Sequence, residues 1–127
     1  MYLLDTNFLV DYFLGKPGFI EKYKELSQQQ VHVSVITSAE ILAGTEEEDI
    51  KSVCDFLDSL VVIPLTDDLT RKAGITKAEL KRKGYKKPLA DILIGQTALE
   101  YNLILVTGNP KDFPQLRTRK LLMPFPD

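Results

Sequence analysis

Apolar residues Tyr2, Leu3 and Leu4 open the chain and stop at Asp5, which predicts a short buried strand ending in a polar turn. A helical pattern over Asn7 to Leu14 closes at Gly15, and Pro17 at a first helical position predicts a second helix through about Ser27. Val31, Val33 and Val35, with Ile36 beyond, predict the next strand. Thr37-Ser38-Ala39-Glu40 then begins a helix that reaches Gly44. The acidic stretch Glu46 to Asp49 predicts the start of another helix running through Leu60, because carboxylates are stabilised near the positive end of a helix dipole. Val61, Val62, Ile63 and Leu65 predict a third strand, which Pro64 marks as an edge. Thr66 starts a long helix whose apolar periodicity fades near Gly84, and Pro88 at a first helical position opens the segment PLADILIGQTALEY. Leu103 to Val106 predict a fourth strand that delivers Thr107, Gly108, Asn109 and Pro110 into a loop, and Leu121 to Met123 predict a short last strand.

Strands alternating with helices imply an α/β fold with a mainly parallel sheet. In such sheets function gathers outside the carboxyl ends of the strands, where both Asp5 and the Thr107–Asn109 loop fall. The pattern holds no repeat, low-complexity tract or linker, so residues 1–127 are expected to form a single domain. With 44% hydrophobic and 27% charged residues, the composition is that of an ordinary globular chain. The single cysteine, Cys54, cannot form an internal disulfide and fits a reducing compartment, so the cytoplasm is the expectation. No apolar run approaches the roughly 20 residues of a membrane span, and acidic residues interrupt the N-terminal segment where a signal peptide would be unbroken, so export is not expected.

The net charge of −2 conceals an uneven distribution, for residues 71–87 gather eight bases with only Glu79 as an acid. Three acids recur in similar settings: Asp5 after the first strand, Glu40 in the first turn of the helix after the second, and Asp91 in the first turn of a later helix. Each has a plain structural role open to it. Asp5 or Thr6 could cap a helix, Thr37 and Glu40 could form a capping box, and Asp91 could be a dipole-stabilised surface acid. Yet Asp5 lies between apolar elements and Asp91 sits within LADILIGQTAL, where an unpaired acid is costly. Two carboxylates within about 4 Å would repel by about 4 kcal/mol at an effective dielectric near 20, a conflict that a divalent cation removes. Oxygen ligands without histidine or cysteine select Mg²⁺ or Mn²⁺ over zinc. His32 reads as a strand residue, Cys54 as core, and one histidine leaves little room for triad chemistry.

Four ordered segments carry a resemblance: MYLLDTNFLVDYF, VSVITSAEILAG, KKPLADILIGQTALEYNL and ILVTGNPKDF. Together they resemble PIN-domain ribonucleases of the VapC toxin type, found in bacterial and archaeal toxin–antitoxin pairs, over nearly the whole chain. The resemblance implies a three-layer α/β/α fold with a central sheet of four to five strands. It also implies that Asp5, Glu40 and Asp91 are the metal-binding catalytic acids, that Asn7 supports the site beside Asp5, and that Thr107 lines it from the fourth strand. Many relatives place a further acid two residues after the threonine, where this chain has Asn109, which lowers the charge at a second metal position. Asp112, one turn on, either substitutes for it or starts a turn before Phe113 and Pro114, and the latter reading is favoured here.

The implied chemistry is hydrolysis of RNA phosphodiester bonds assisted by Mg²⁺ or Mn²⁺. One tightly held ion is expected, with a second supplied partly by the substrate phosphate. The basic block, with Arg82, Lys86 and Lys87 nearest to Asp91, suits phosphate contacts or a solvated helix face equally well. Tyr85 reads as a turn aromatic in preference to a base-stacking one. Single-stranded or loop RNA is the expected substrate. Relatives of this type usually form homodimers and are silenced by a small antitoxin that often inserts an arginine into the acidic site. Phe8, Tyr12, Phe13, Phe19 and Tyr23 could meet such a partner, although most are expected in the core. An aspartyl phosphotransferase or phosphatase fits poorly, because it needs a second acid or a lysine that Asn7 and Gly108-Asn109 do not supply. A non-catalytic RNA-binding or regulatory domain of the same family is the other reading, and Asn109 is the one feature in its favour.

Overall fold

The computed structural model describes residues 1–116 and 120–122. Five strands, β1 (Tyr2–Leu4), β2 (Val31–Ser34), β3 (Val61–Ile63), β4 (Ile104–Thr107) and β5 (Lys120–Leu122), form one sheet in the order β3-β2-β1-β4-β5. Every described pairing is parallel. The helices are α1 (Thr6–Phe13), α2 (Phe19–Leu26), α3 (Val35–Ala43), α4 (Ile50–Asp58), α5 (Asp67–Arg82) and α6 (Leu89–Glu100). The expected α/β/α architecture with a five-stranded sheet is what the chain adopts.

Alternation along the central strands divides the core into two layers. Leu4, Val31, Val33 and Val106 pack with Phe8, Leu9, Phe19, Leu26 and Ile41 on one side. Leu3, Leu105 and Ile63 pack with Ile94, Ala98, Phe113 and Leu116 on the other. Helix α6 is buried continuously from Ile92 to Ala98, because Ile92 and Leu93 also pack against Leu69, Ala73 and Leu80 of α5. A helix enclosed on both flanks carries no apolar stripe, which is why PLADILIGQTALEY reads as nearly uniform.

The strand order reverses at β1, with β2 on one side and β4 on the other, so the carboxyl ends of β1 and β4 meet at a topological switch point. Leu4 pairs with Val106, and the Asp5 N–H continues the ladder to the Val106 carbonyl at 3.0 Å. Asp5 and Thr107 follow that pair directly and by alternation project to the side of Leu3 and Leu105, which is the side of α6.

Several boundaries differ from the sequence reading. The second helix begins at Phe19 behind Gly18, whose φ of 87° suits glycine, and Pro17 lies outside it. The second strand ends at Ser34, and Val35 and Ile36 already belong to α3. The cap of α3 is Ser34, which accepts from the Ile36 N–H at 3.1 Å, so no Thr37–Glu40 capping box forms. Asp49 closes a turn of 3-10 helix, Glu47–Asp49, ahead of α4, and Pro88 sits at the N-cap of α6 rather than inside it. The fourth strand starts at Ile104 and includes Thr107. The last strand is Lys120–Leu122, and Met123 falls outside the described residues. As expected, β3 is an edge strand, Thr66 caps α5 through the Leu69 N–H, and His32 is buried with Nδ1 3.2 Å from the Tyr2 carbonyl. Cys54 is half-buried.

Replacing Ser34 by Ala is predicted to lower stability by about 1 kcal/mol through loss of the α3 cap, while Glu40→Ala costs less than half of that. Urea unfolding of the two variants checks it. A larger loss for Glu40→Ala would restore the capping box.

Candidate active site

Asp5 stands at the N-cap of α1, yet its side chain makes no capping bond. The carboxylate is turned inward instead, 3% exposed, and accepts from the Thr107 hydroxyl at 2.8 Å. Burial pushes its pKa up to about 6, and the charges of Asp91 and Asp112 add to the rise, while the Thr107 hydroxyl and the Thr6 backbone N–H oppose it. A single Thr107 hydroxyl serves two neighbours. It donates to Asp5 and accepts from the Asn109 N–H at 3.0 Å, which ties the loop after β4 to the buried acid.

Asp91, in the first turn of α6, is half-buried and makes no cap. Its pKa is raised mainly by burial, then by Asp112 and Glu40, with Lys87 acting against them. Glu40 is exposed on helix α3 and accepts from the Thr6 hydroxyl at 2.6 Å; that hydroxyl also lies 3.1 Å from Thr37 Oγ1. Neither Asp5 nor Glu40 therefore fills the capping role that was open to it, while Asp91 does lie in the first turn of α6. Asp5, Asp91, Glu40 and Asp112 share one electrostatic field at the carboxyl edge of the sheet.

Asp112 stands in a turn before Phe113, as the sequence reading favoured, and it also has polar partners of its own. It closes a 3-10 turn, Pro110–Asp112, and it accepts from Asn109 Nδ2 at 2.9 Å. Lys87 Nζ is 3.6 Å from its other oxygen. Its charge acts on both Asp5 and Asp91, and its hydrogen bond to Asn109 ties it to the loop after β4. Lys87 lies near the acids as its place before Asp91 suggested, whereas the role of Thr6 was missed, and the Asp-Thr-Asn run was the available sign for it.

The remaining candidates separate. Asn7 is exposed in the first turn of α1 and makes no hydrogen bond to the acids among the described residues. Lys87 reaches the acids, whereas Arg82 and Lys86 are exposed and form no ion pair among the described residues. The first part of the basic block is internally neutralised: Arg71 pairs with Asp67, and Lys72 with Asp68 and Glu100. Phe8 and Phe19 are core as expected, Tyr12 and Tyr23 are half-buried, and Phe13 is exposed, stacked edge-on against Phe56 at 5.1 Å.

Among the described residues, no group of three or more His, Cys, Asp or Glu side chains is arranged to hold a metal ion as it stands. The donor set nevertheless fits a hard divalent cation. It is all oxygen, and two of its acids are held above their ordinary pKa by burial and mutual repulsion, both of which a cation offsets.

Comparison with known proteins agrees with this geometry. A family profile described as PIN domain matches residues 2–118. The chain is 31% identical over 120 residues to a Haemophilus influenzae protein named Ribonuclease VapC2, covering 91% of each chain. It is 28% identical over 120 residues to the tRNA(fMet)-specific endonuclease VapC of Salmonella typhimurium, again with 91% of each covered. Among solved structures it resembles a chain of VapBC2 from Rickettsia felis bound to a DNA fragment from their promoter. There the TM-score is 0.80 at 28% identity, covering 95% of this chain and 96% of that one.

A carboxyl whose pKa is higher in the folded than in the unfolded chain binds its proton more tightly when folded. Stability therefore falls as pH rises from 3.8 to about 6, and the full cost is present above that window. The displacement corresponds to about 3 kcal/mol. Asp5→Asn is accordingly predicted to stabilise the metal-free protein by about 2 kcal/mol at pH 7.5, with the gain vanishing toward pH 4. Urea unfolding in EDTA at both pH values checks this, and a destabilised variant at pH 7.5 would contradict it.

Proposed function

The chain belongs to the PIN domain family, and from that premise we propose that it is an endoribonuclease of the VapC type, the toxin of a toxin–antitoxin pair. The observation that carries the reading is the convergence of Asp5, Asp91, Glu40 and Asp112 at the switch point of the sheet.

Asp5 and Asp91 are the residues that would hold Mg²⁺ or Mn²⁺, with Glu40 and Asp112 adding negative charge around them. When bound, such a cation supplies Lewis-acid polarisation of a phosphoryl oxygen and lowers the pKa of a nearby water. Thr107 holds the Asp5 carboxylate in one orientation, and Thr6 does the same for Glu40. Neither carboxylate then has to be ordered when substrate arrives. Hydrolysis adds the water oxygen to phosphorus, breaks one P–O ester bond and leaves the proton on the departing oxygen. No side chain need act as a covalent nucleophile. Lys87, beside Asp112, offsets part of the acidic charge that would otherwise repel an RNA phosphate. Lys86 and Arg82 lie further from the acids and are suited to phosphates along the strand.

The alternative of a non-catalytic relative rests on Asn109, and the Asn109–Asp112 bond weighs against it, because an acid is supplied one turn later. An antitoxin is the partner, as in the VapBC complexes among the structural relatives. A groove of about 650 Å³ suits it. Val10, Phe13, Leu14, Ile41 and Phe56 form the floor, and Glu40, Glu46 and Asp49 form an acidic rim. An apolar peptide bearing an arginine would fill that floor and reach Glu40 by a charge-assisted hydrogen bond. A homodimer and a cytoplasmic location complete the proposal. No described helix is long and apolar enough to cross a membrane.

Purified, partner-free protein is predicted to cleave a mixed structured RNA pool with Mg²⁺ or Mn²⁺ and not with EDTA, and Asp91→Asn is predicted to lose at least 100-fold, a scale set by the loss of metal-bound electrostatic stabilisation. Gel analysis of the pool checks both. Cleavage by the variant at the parent rate would refute the assignment of the acids. In the same assay Asp112→Asn is predicted to fall about ten-fold, a smaller loss than for Asp91.

A further inference from the structure

A shelf of about 510 Å³ lined by Tyr85, Lys87, Pro110, Lys111 and Pro114 adjoins the acids through Lys87. Tyr85 is 46% exposed although its backbone is fixed. Helix α5 ends in a Schellman arrangement: the Gly84 N–H bonds to the Lys81 carbonyl at 3.0 Å, and the Tyr85 N–H to the Leu80 carbonyl at 2.8 Å. Gly84 takes the left-handed conformation this needs, with φ of 91°. The facing wall is equally constrained. Pro110 opens a 3-10 turn tied to Thr107 through the Asn109 N–H, and Phe113, fully buried, anchors its far end.

Lys87 is common to the shelf and to the acid cluster, since it lines the one and lies 3.6 Å from Asp112 in the other. A chain crossing the carboxylates would therefore meet the shelf next. The groove and the shelf differ in charge. The groove has Glu40, Glu46 and Asp49 on its rim and attracts cations, whereas the shelf offers two lysines and lies beyond Lys83 and Lys86 on either side of Tyr85 in sequence. An exposed aromatic face framed by prolines and lysines suits a flat, anionic-backbone ligand: unstacked bases pair with aromatic faces and their phosphates with lysines.

We propose that the Tyr85–Lys111 shelf is a nucleotide subsite, in which a base of single-stranded RNA flanking the scissile bond stacks on Tyr85 and the neighbouring phosphate is met by Lys111. The proposal rests on the ribonuclease reading above, and it adds a substrate-positioning role for two residues that touch none of the acids. Stacking on a ring tolerates any base, so the shelf contributes hold on the strand rather than choice of sequence.

The test is a titration of a fluorescein-labelled, mixed-sequence single-stranded RNA 12-mer with the full chain in EDTA, which separates binding from cleavage, followed by cleavage of the same 12-mer with Mg²⁺. Tyr85→Ala is expected to weaken binding about ten-fold and Tyr85→Phe to restore it, because the ring and not the hydroxyl does the stacking. In cleavage, Tyr85→Ala is expected to raise KM with kcat unchanged. Lys111→Ala is expected to weaken binding and lower the slope of log affinity against log salt by about one. Tyr85 is exposed, so an unaltered circular dichroism spectrum should accompany each result. Parent-like binding by Tyr85→Ala, failure of Tyr85→Phe to restore it, or no binding of the 12-mer by the parent overturns the shelf. The ribonuclease reading fails separately, if the parent cleaves neither the 12-mer nor the RNA pool.

Discussion

Burial of the Asp5 carboxylate between the ends of two adjacent parallel strands is the constraint on which the site depends. The register that pairs Leu4 with Val106 places Asp5 beside Thr107, and the reversal of strand order at β1 leaves that position open to α6. A carboxylate there can be tolerated because Thr107 and the Thr6 N–H each give it a hydrogen bond, but neither neutralises it. Asp91 and Asp112 then add their charge to an acid that is already costly, and Glu40 adds its own to Asp91, so the fold concentrates negative charge where it is least comfortable. Such an arrangement is rarely kept for stability, and it makes sense as a place prepared for positive charge.

Threonine hydroxyls are the parts that turn this charge into geometry. Thr107 spans Asp5 and the Asn109 backbone, and Thr6 spans Glu40 and Thr37. Each hydroxyl is one donor with two acceptor positions, so once it donates to a carboxylate its remaining capacity faces a neighbour of fixed kind. The outcome is that β1, α1, α3 and the loop after β4 are cross-linked through the acids themselves. Asn109 extends the same logic outward by bonding Asp112, and Lys87 closes the series with its ammonium 3.6 Å from Asp112.

The strands were legible because short apolar runs end abruptly at polar residues, as at Leu4–Asp5 and Val106–Thr107, while the three layers came from the family resemblance. The three acids were legible too, each at the start of a helix behind a strand or a proline. What sequence could not supply was the competition between local and distant partners. Thr37-Ser38-Ala39-Glu40 matches a capping box, but Ser34 takes the cap first and Thr6, 34 residues from Glu40, takes its carboxylate. Asp112 similarly reads as a turn residue, because nothing local reveals that α6 and Lys87 face it. The basic block was visible as composition, whereas the pairing of Arg71 and Lys72 with acids on α5 and α6 is a matter of helix faces that only packing decides.

These features make opposite demands on the two sides of the cluster. Whatever brings positive charge to Asp5 and Asp91 relieves the same strain, whether it is a hard cation or a guanidinium from a partner seated over the acidic-rimmed groove. The two are therefore thermodynamic substitutes at one place, and each stabilises the folded chain by its preference for the ionised acids. RNA, being anionic, gains from that place only when the positive charge there leaves coordination open to a phosphate, and a guanidinium bonded to the carboxylates leaves none. In the proposed reading, activity and silencing would differ only in which cation meets a buried aspartate that the sheet cannot satisfy alone.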